Sequence, residues 1–157
     1  YHIRHPVPEQ IFVTGILAET GMVILNSILA DEYSAVVESC PDEDFLPQVE
    51  ESELGISHIE VGRRLAEKWH FPPDLVQGIG SHHHPIVDGE VPTMAGLVYA
   101  GQHFYRRFAA NEDPANELAE LPPQLVEAFQ LTPDAVEIAF DKAETELAEA
   151  KQILAPE

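Results

Sequence analysis

The sequence predicts an all-α protein, a helical bundle. Three observations predict it: apolar residues recur at spacings of three and four, proline or glycine separates the apolar segments, and strand-like alternation is nearly absent. At 157 residues with 45% hydrophobic content, the chain suits one core, and a single domain over 1–157 is expected.

The elements follow in order. Ile11 to Leu17 and Met22 to Leu29 are apolar, with Ala18-Glu19-Thr20-Gly21 between them. Spacing at Leu25, Ile28 and Leu29 favours helix, bent near Gly21. A shorter helix runs from Asp31 to Ser39 and is stopped by Pro41, leaving Pro41-Asp42-Glu43-Asp44 as a solvated turn. Ser57-His58-Ile59-Glu60 is a capping box, and the helix it opens places Val61, Leu65 and Trp69 on a core face. Gly62 and Ala66 form an adjacent stripe that permits close helix approach. Phe71-Pro72-Pro73-Asp74 ends that helix and starts the next. Leu75, Val76 and Ile79 bury the new helix, which delivers His82-His83-His84 at its C-terminal end before a loop from Pro85 to Glu90.

A long helix is expected from Pro92 to Ala109, carrying Ala95, Gly96, Ala100 and Gly101 beside Leu97, Val98, Phe104 and Phe108. An acidic connection from Asn111 to Pro123 leads to a short helix marked by Leu125, Val126 and Phe129. Thr132-Pro133-Asp134 caps the last helix, whose seam is Val136, Phe140, Ala143, Leu147, Ala150 and Leu154. That seam can bury within the domain or against a second copy, so a homo-oligomer is one expected state.

Charge excludes some partners. With 28 Asp and Glu against 8 Lys and Arg, the net charge is −20. Nucleic acid and anionic membranes each need a basic face, so neither is an expected partner. A mean hydropathy of −0.11 and no apolar run of eighteen residues predict no membrane-spanning helix. A single cysteine, Cys40, forms no internal disulfide and suits a reducing cytoplasm. It has no basic neighbour to activate it and reads as a buried or half-buried thiol.

The candidate chemistry lies in the histidines. His82 and His83, with His58 on a neighbouring helix, can gather neutral imidazoles around a divalent metal if they flank one cavity from one rim, and a ligand pocket retaining one metal for structure only is a further reading. No carboxylate stands beside them in sequence, and the plainer reading satisfies them with carboxylates or carbonyls from elsewhere. Arg63-Arg64 and Arg106-Arg107 can clamp a phosphate, although in so acidic a chain such pairs also meet nearby carboxylates. Trp69 and Phe71 can stack a base, but helical spacing with Leu65 and Val61 favours core packing for Trp69.

Several stretches together resemble a known family. Thr14-Gly15-Ile16-Leu17-Ala18-Glu19-Thr20-Gly21 is similar to the Gly-Leu-Leu-His-Asp-Ile-Gly segment of HD-superfamily phosphohydrolases. Leu54-Gly55-Ile56-Ser57-His58-Ile59-Glu60-Val61-Gly62 resembles their Gly-x-x-His-x-x-x-Gly motif. Trp69-His70-Phe71-Pro72 and Ile79-Gly80-Ser81-His82-His83-His84-Pro85 resemble the Trp-x-x-Pro and Ile-x-x-His-His-x-Pro elements. Order and spacing fit the HDOD branch, degenerate HD domains of bacterial signalling proteins. Family members usually carry a further helical region before the Gly-Leu-Leu segment, where this chain has about a dozen residues. The expected fold is therefore an HD-like core with part of one wall uncovered, a surface that favours association.

Departures from the motif decide the expected function. Where catalytic relatives carry the metal-binding His-Asp pair, this chain has Ala18-Glu19, and their later Asp falls at Ala100-Gly101. His58, His82 and His83 remain. Without carboxylates to neutralise and bridge a two-metal centre, phosphodiester hydrolysis is not expected. The resemblance thus implies a non-catalytic, cytoplasmic signal-transduction module binding a protein partner or a small ligand, with His58, His82, His83 and Arg63 as ligand-binding residues. No catalytic residue, metal or cofactor is assigned. The alternative is a metal-dependent HD-type phosphohydrolase acting on a nucleotide or cyclic dinucleotide.

Overall fold

A computed structural model describes residues 8–40, 42–110 and 118–154. The apolar N-terminal segment forms α1 (Pro8–Ala18) and α2 (Thr20–Ile28), broken at Glu19 rather than at the expected Gly21. Gly21 stays helical because its missing side chain serves packing: a Cβ there would lie 1.9 Å from the His58 carbonyl oxygen. Thr14, Ala18, Gly21 and Leu25 are buried, whereas Phe12, Ile16, Val23 and Ile28 are exposed. The Thr14 hydroxyl donates to the Gln10 carbonyl at 2.7 Å, which removes the cost of burying it.

One expectation about this segment is corrected. Pro8–Ile28 is long and apolar enough to cross a membrane by length and composition, contrary to the sequence reading. A criterion of uninterrupted apolar residues missed it because Glu9, Glu19 and the small polar residues are diluted among Ile, Val and Leu. Its buried stripe packs on other helices of this chain.

Helix α3 (Ala30–Ser39) matches expectation, while Pro41, its expected stop, lies outside the described residues. Glu43–Phe45 forms a 3₁₀ turn leading to α4 (Leu46–Leu54), a helix the sequence reading did not assign. Gly55 ends α4 with φ 74°, a left-handed conformation that glycine adopts without a steric penalty. Cys40 is half-buried, its thiol 3.1 Å from the Asp42 carbonyl.

Helix α5 (His58–Lys68) begins at Ser57, whose Oγ accepts the Glu60 amide at 3.4 Å. Only that half of the capping box forms, because the Glu60 carboxylate turns to Arg63 and Arg64 instead. The buried face of α5 is His58, Gly62 and Ala66, not Val61, Leu65 and Trp69. Trp69 is 54% exposed and rests beside Phe71, ring centroids 5.8 Å apart. The physical reason is closeness: α2 and α6 (Pro73–Gly80) both press on α5, and a Cβ on Gly62 would come within 3.1 Å of Ile79 Cγ2. Only small residues fit such a seam, so the large ones rotate outward. Helix α5 stops at His70, φ 58°, with the Phe71 amide donating back to the Ala66 carbonyl at 3.0 Å.

In α6, Leu75, Gly78 and Ile79 are buried while Val76 is half-buried. The following turn contains one antiparallel bridge, Val87 with Glu90, and no strand occurs among the described residues. Helix α7 (Thr93–Ala110) buries Met94, Ala95, Val98 and Ala100.

Read from sequence as one domain, the chain groups into two compact units, 1–101 and 102–157. The second contains the end of α7, α8 (Pro123–Phe129) and α9 (Pro133–Leu154). Here Phe104 and Phe140 meet edge to face with centroids 6.0 Å apart, and Thr132 Oγ1 caps α9 by accepting the Ala135 amide at 3.2 Å. Along the expected α9 seam Val136 is buried and Ala143 exposed; the side chains of Leu147, Ala150 and Leu154 lie outside the described residues.

Candidate functional site

The break after α1, the start of α5 and the turn after α6 meet at one place. Each contributes a residue that can bind a cation or anion. His58 is the first residue of α5 and is fully buried. Its position is fixed twice by one carboxylate, since Glu50 Oε2 accepts both the His58 amide at 2.7 Å and Nδ1–H at 2.6 Å. Glu50 Oε1 accepts the Tyr33 hydroxyl at 2.7 Å, so a wholly buried carboxylate has three donors. Burial alone would raise the Glu50 pKa, but the hydrogen bonds from His58 and Tyr33 reverse that and lower it. For Tyr33, burial and the Glu50 charge act together and raise the pKa.

His82 is also fully buried. Its Nδ1 donates to the Ile79 carbonyl at 2.7 Å, the last turn of α6 supplying the acceptor. In both residues Nδ1 donates to its oxygen acceptor, and Nε2 is the nitrogen that faces the centre of the site. Both Nε2 atoms are buried without a hydrogen-bond partner.

They face Glu19. Its carboxylate oxygens lie 3.5 Å from His82 Nε2 and 3.8 Å from His58 Nε2, longer than hydrogen bonds. Burial would raise the Glu19 pKa, yet His82, then His58 and His83, outweigh it and hold the carboxyl at about 2. His83 completes the group: ring centroids are 4.6 Å from His82 and 5.1 Å from His58, and one nitrogen of each of the three histidines lies within 4.8 Å of the others. The rim geometry that the sequence required of His82 and His83 is therefore what the turn after α6 provides.

Of the four expected ligand-binding residues, three converge and the fourth is committed elsewhere. Arg63 binds Glu60 through Nε at 2.7 Å and Nη2 at 2.8 Å, and reaches Glu67 through Nη1. It lines a surface cleft with Glu67, Phe71, Val76 and Ser81, and none of the three histidines lines that cleft. A second cleft, about 560 Å³, is edged by Gln48, Glu51, Ser57, Glu60, Arg64 and His84. Sequence reasoning missed Glu50, because α4 was not assigned. It also set Glu19 aside as a poor substitute for Asp, when the chain break at this residue turns its longer side chain toward the imidazoles.

A family model for the HDOD domain matches residues 1–85, more than half of the chain. The chain belongs to the HDOD family. Comparison of this HDOD chain with curated proteins gives no match. Among solved structures, a crystal structure described as "Putative phosphohydrolase" from Shewanella amazonensis SB2B is similar, with a TM-score of 0.70 at 21% identity. The alignment covers 86% of this chain and 50% of that one, so the HDOD chain spans half the length of that protein. Likeness at this identity establishes a shared HD-like helical fold.

The two-metal centre of HD-superfamily hydrolases does not fit these residues. Ala18, at the position of the family's metal-binding His, is fully buried and has no ligand atom. Gly101, one residue beyond buried Ala100, is exposed with open space where a side chain would stand. What is left is one carboxylate and three imidazoles, a donor set for a single divalent ion.

Proposed function

We propose that this HDOD chain is a non-catalytic regulatory module that binds a protein partner or a small ligand. The observation that carries the reading is Ala18: a buried methyl group occupies the position where a hydrolase needs its first metal ligand. Among the described residues Glu19 is the carboxylate that faces His58 and His82 Nε2, while Glu50 is engaged by His58 Nδ1 and Tyr33, which argues against the bridged two-metal centre a hydrolase of this type needs. The cleft beside His84, about 560 Å³, has the volume of a small-ligand site, and its polar edge of Gln48, Glu51 and Arg64 supplies donors and acceptors. An acidic surface directs such a module toward protein or small-molecule partners in the cytoplasm and away from nucleic acid.

Hydrolysis assays test the reading. Purified protein is given manganese, iron or magnesium with p-nitrophenyl phosphate, its bis-ester and a cyclic dinucleotide, and rates at background are expected. Turnover abolished by His82→Ala would establish the phosphohydrolase reading in its place.

A further inference from the structure

We propose that the outer face of α1 and α2 is a self-association surface, where Phe12, Ile16 and Val23 of two copies of this chain interlock about a two-fold axis near Gly15 and Ile16. The face is apolar and open to solvent. Phe12 is 69% exposed, Ile16 60% and Val23 64%, while the opposite stripe of Thr14, Ala18, Gly21 and Leu25 is buried where α1 and α2 pack on α5 and α6. At 100° and 1.5 Å per residue, positions 12, 16 and 23 fall within about 40° of one another and span roughly 16 Å. Glu19, with φ −88° and ψ 4°, departs little from helical backbone, so α2 continues the stripe that α1 begins. Singly exposed apolar residues are ordinary, whereas a contiguous apolar stripe marks a surface that meets something.

Charge selects what it meets. At −20, two copies repel wherever their acidic side chains come together. From Pro8 to Ile28 the only charged residues are Glu9 and Glu19, and Glu19 turns toward His58 and His82. Like-charged copies therefore approach each other here with the least repulsion. A basic protein, which the net charge would attract elsewhere, finds no carboxylate along Phe12, Ile16 and Val23 to pair with. A membrane is a poorer occupant, because the inner stripe is fixed on α5 and α6 and an anionic bilayer repels the chain.

Gly15 adds a shape argument. A Cβ on Gly21, Gly62, Gly78 or Gly80 would come within 3.1 Å of another atom of the chain, so packing explains each of those glycines. A Cβ on Gly15 would meet nothing within 4 Å, although glycine weakens a helix interior relative to alanine. Inside one chain its missing side chain makes room for nothing. Opposite a second helix it is a hole between the knobs Phe12 and Ile16, into which Ile16 of the other copy fits. An isologous two-fold contact requires a surface complementary to itself, and here knobs and hole share one stripe. The patch is smaller than the roughly 20–30 residues a side of a standard interface, so the dimer is weak and depends on concentration.

Sedimentation velocity of the full chain tests this, from micromolar to near-millimolar protein at low and high salt. A monomer–dimer equilibrium is expected that tightens with salt, as screening relieves the repulsion of the two copies. Ile16→Glu, which sets like charges together in the seam, should weaken the dimer at least about tenfold. Gly15→Leu should weaken it about as much while Tm holds or rises, because within one chain the new side chain has open space and a helix-weakening glycine is gone. That pairing separates a lost interface from a damaged fold. Val37→Glu, on the exposed side of α3, should leave the equilibrium unchanged. A monomer under every condition, a dimer unaffected by Ile16→Glu and Gly15→Leu, or a dimer that tightens as salt falls would overturn the proposal. Monomer that floats with neutral phosphatidylcholine vesicles would overturn it too and assign the face to a bilayer. Self-association is independent of whether the chain hydrolyses phosphoesters.

Discussion

Glu50 and His58, eight residues apart on different helices, are joined twice: one carboxylate oxygen accepts the His58 backbone amide at 2.7 Å and its Nδ1–H at 2.6 Å. The first bond satisfies an orphan amide at the start of α5, and the second sets the tautomer of the imidazole. Fold and site thus share one residue. Glu50→Ala should cost about 3 kcal/mol or more, because it strips partners from His58 and Tyr33 inside the protein. Chemical denaturation monitors it, and a loss below about 1 kcal/mol would mean that water replaces the carboxylate.

Gly21 should tolerate no side chain. A Cβ there would sit 1.9 Å from the His58 carbonyl oxygen, and a backbone atom in a packed helix does not yield as a side chain would. Gly21→Ala is expected to cost about 3 kcal/mol, the upper range for overpacking, even though alanine favours helix more than glycine does. Thermal unfolding checks it. A stabilised variant would show that α2 and α5 stand farther apart.

Trp69 and Ile79 should respond in the order opposite to their size. Trp69 is 54% exposed, while Ile79 is 1% exposed. Trp69→Ala is expected to cost about 1 kcal/mol and Ile79→Ala about 3 kcal/mol. Urea midpoints of the two variants compare them directly.

Glu60 gives a prediction about pH. Hydrogen bonds from Arg63, then Arg64, hold its carboxyl at about 2, below the ordinary 4.5, despite a smaller opposing effect of burial. A depressed folded-state pKa means that the stabilising contribution is complete above about pH 4.5 and is lost as pH falls toward about 2. At a partly solvated surface pair the contribution is under about 1 kcal/mol. Carbon-13 titration of the Glu60 carboxyl reads the midpoint, which Arg63→Ala should move upward.

Much of this fold is legible in the sequence, and the exceptions share a cause. Ser57, Pro73 and Thr132 mark helix starts because caps and first-turn prolines act locally. The buried face of α5 was misjudged because hydrophobic spacing records which residues are apolar, and it does not record how near the next helix comes. Gly62 and Ala66 pack inward since α2 and α6 leave room for nothing larger. Helix α4 escaped assignment because Pro47, three glutamates and a serine obscure its apolar positions, and Glu50 went with it. His58, His82 and His83 were visible as residue types. Their convergence with Glu19 is tertiary: it depends on the break between α1 and α2, which sequence spacing placed two residues too late.

The orientation of two imidazoles is the point on which the account turns. Long-range proton–nitrogen correlation of nitrogen-15 histidine side chains, recorded on metal-free protein at a pH where imidazoles are neutral, reports it directly. For His58 and His82 we expect the proton on Nδ1 and a bare Nε2, as their bonds to Glu50 and the Ile79 carbonyl require. A proton on Nε2 of either ring would mean that it donates to Glu19, and would contradict the account of the site.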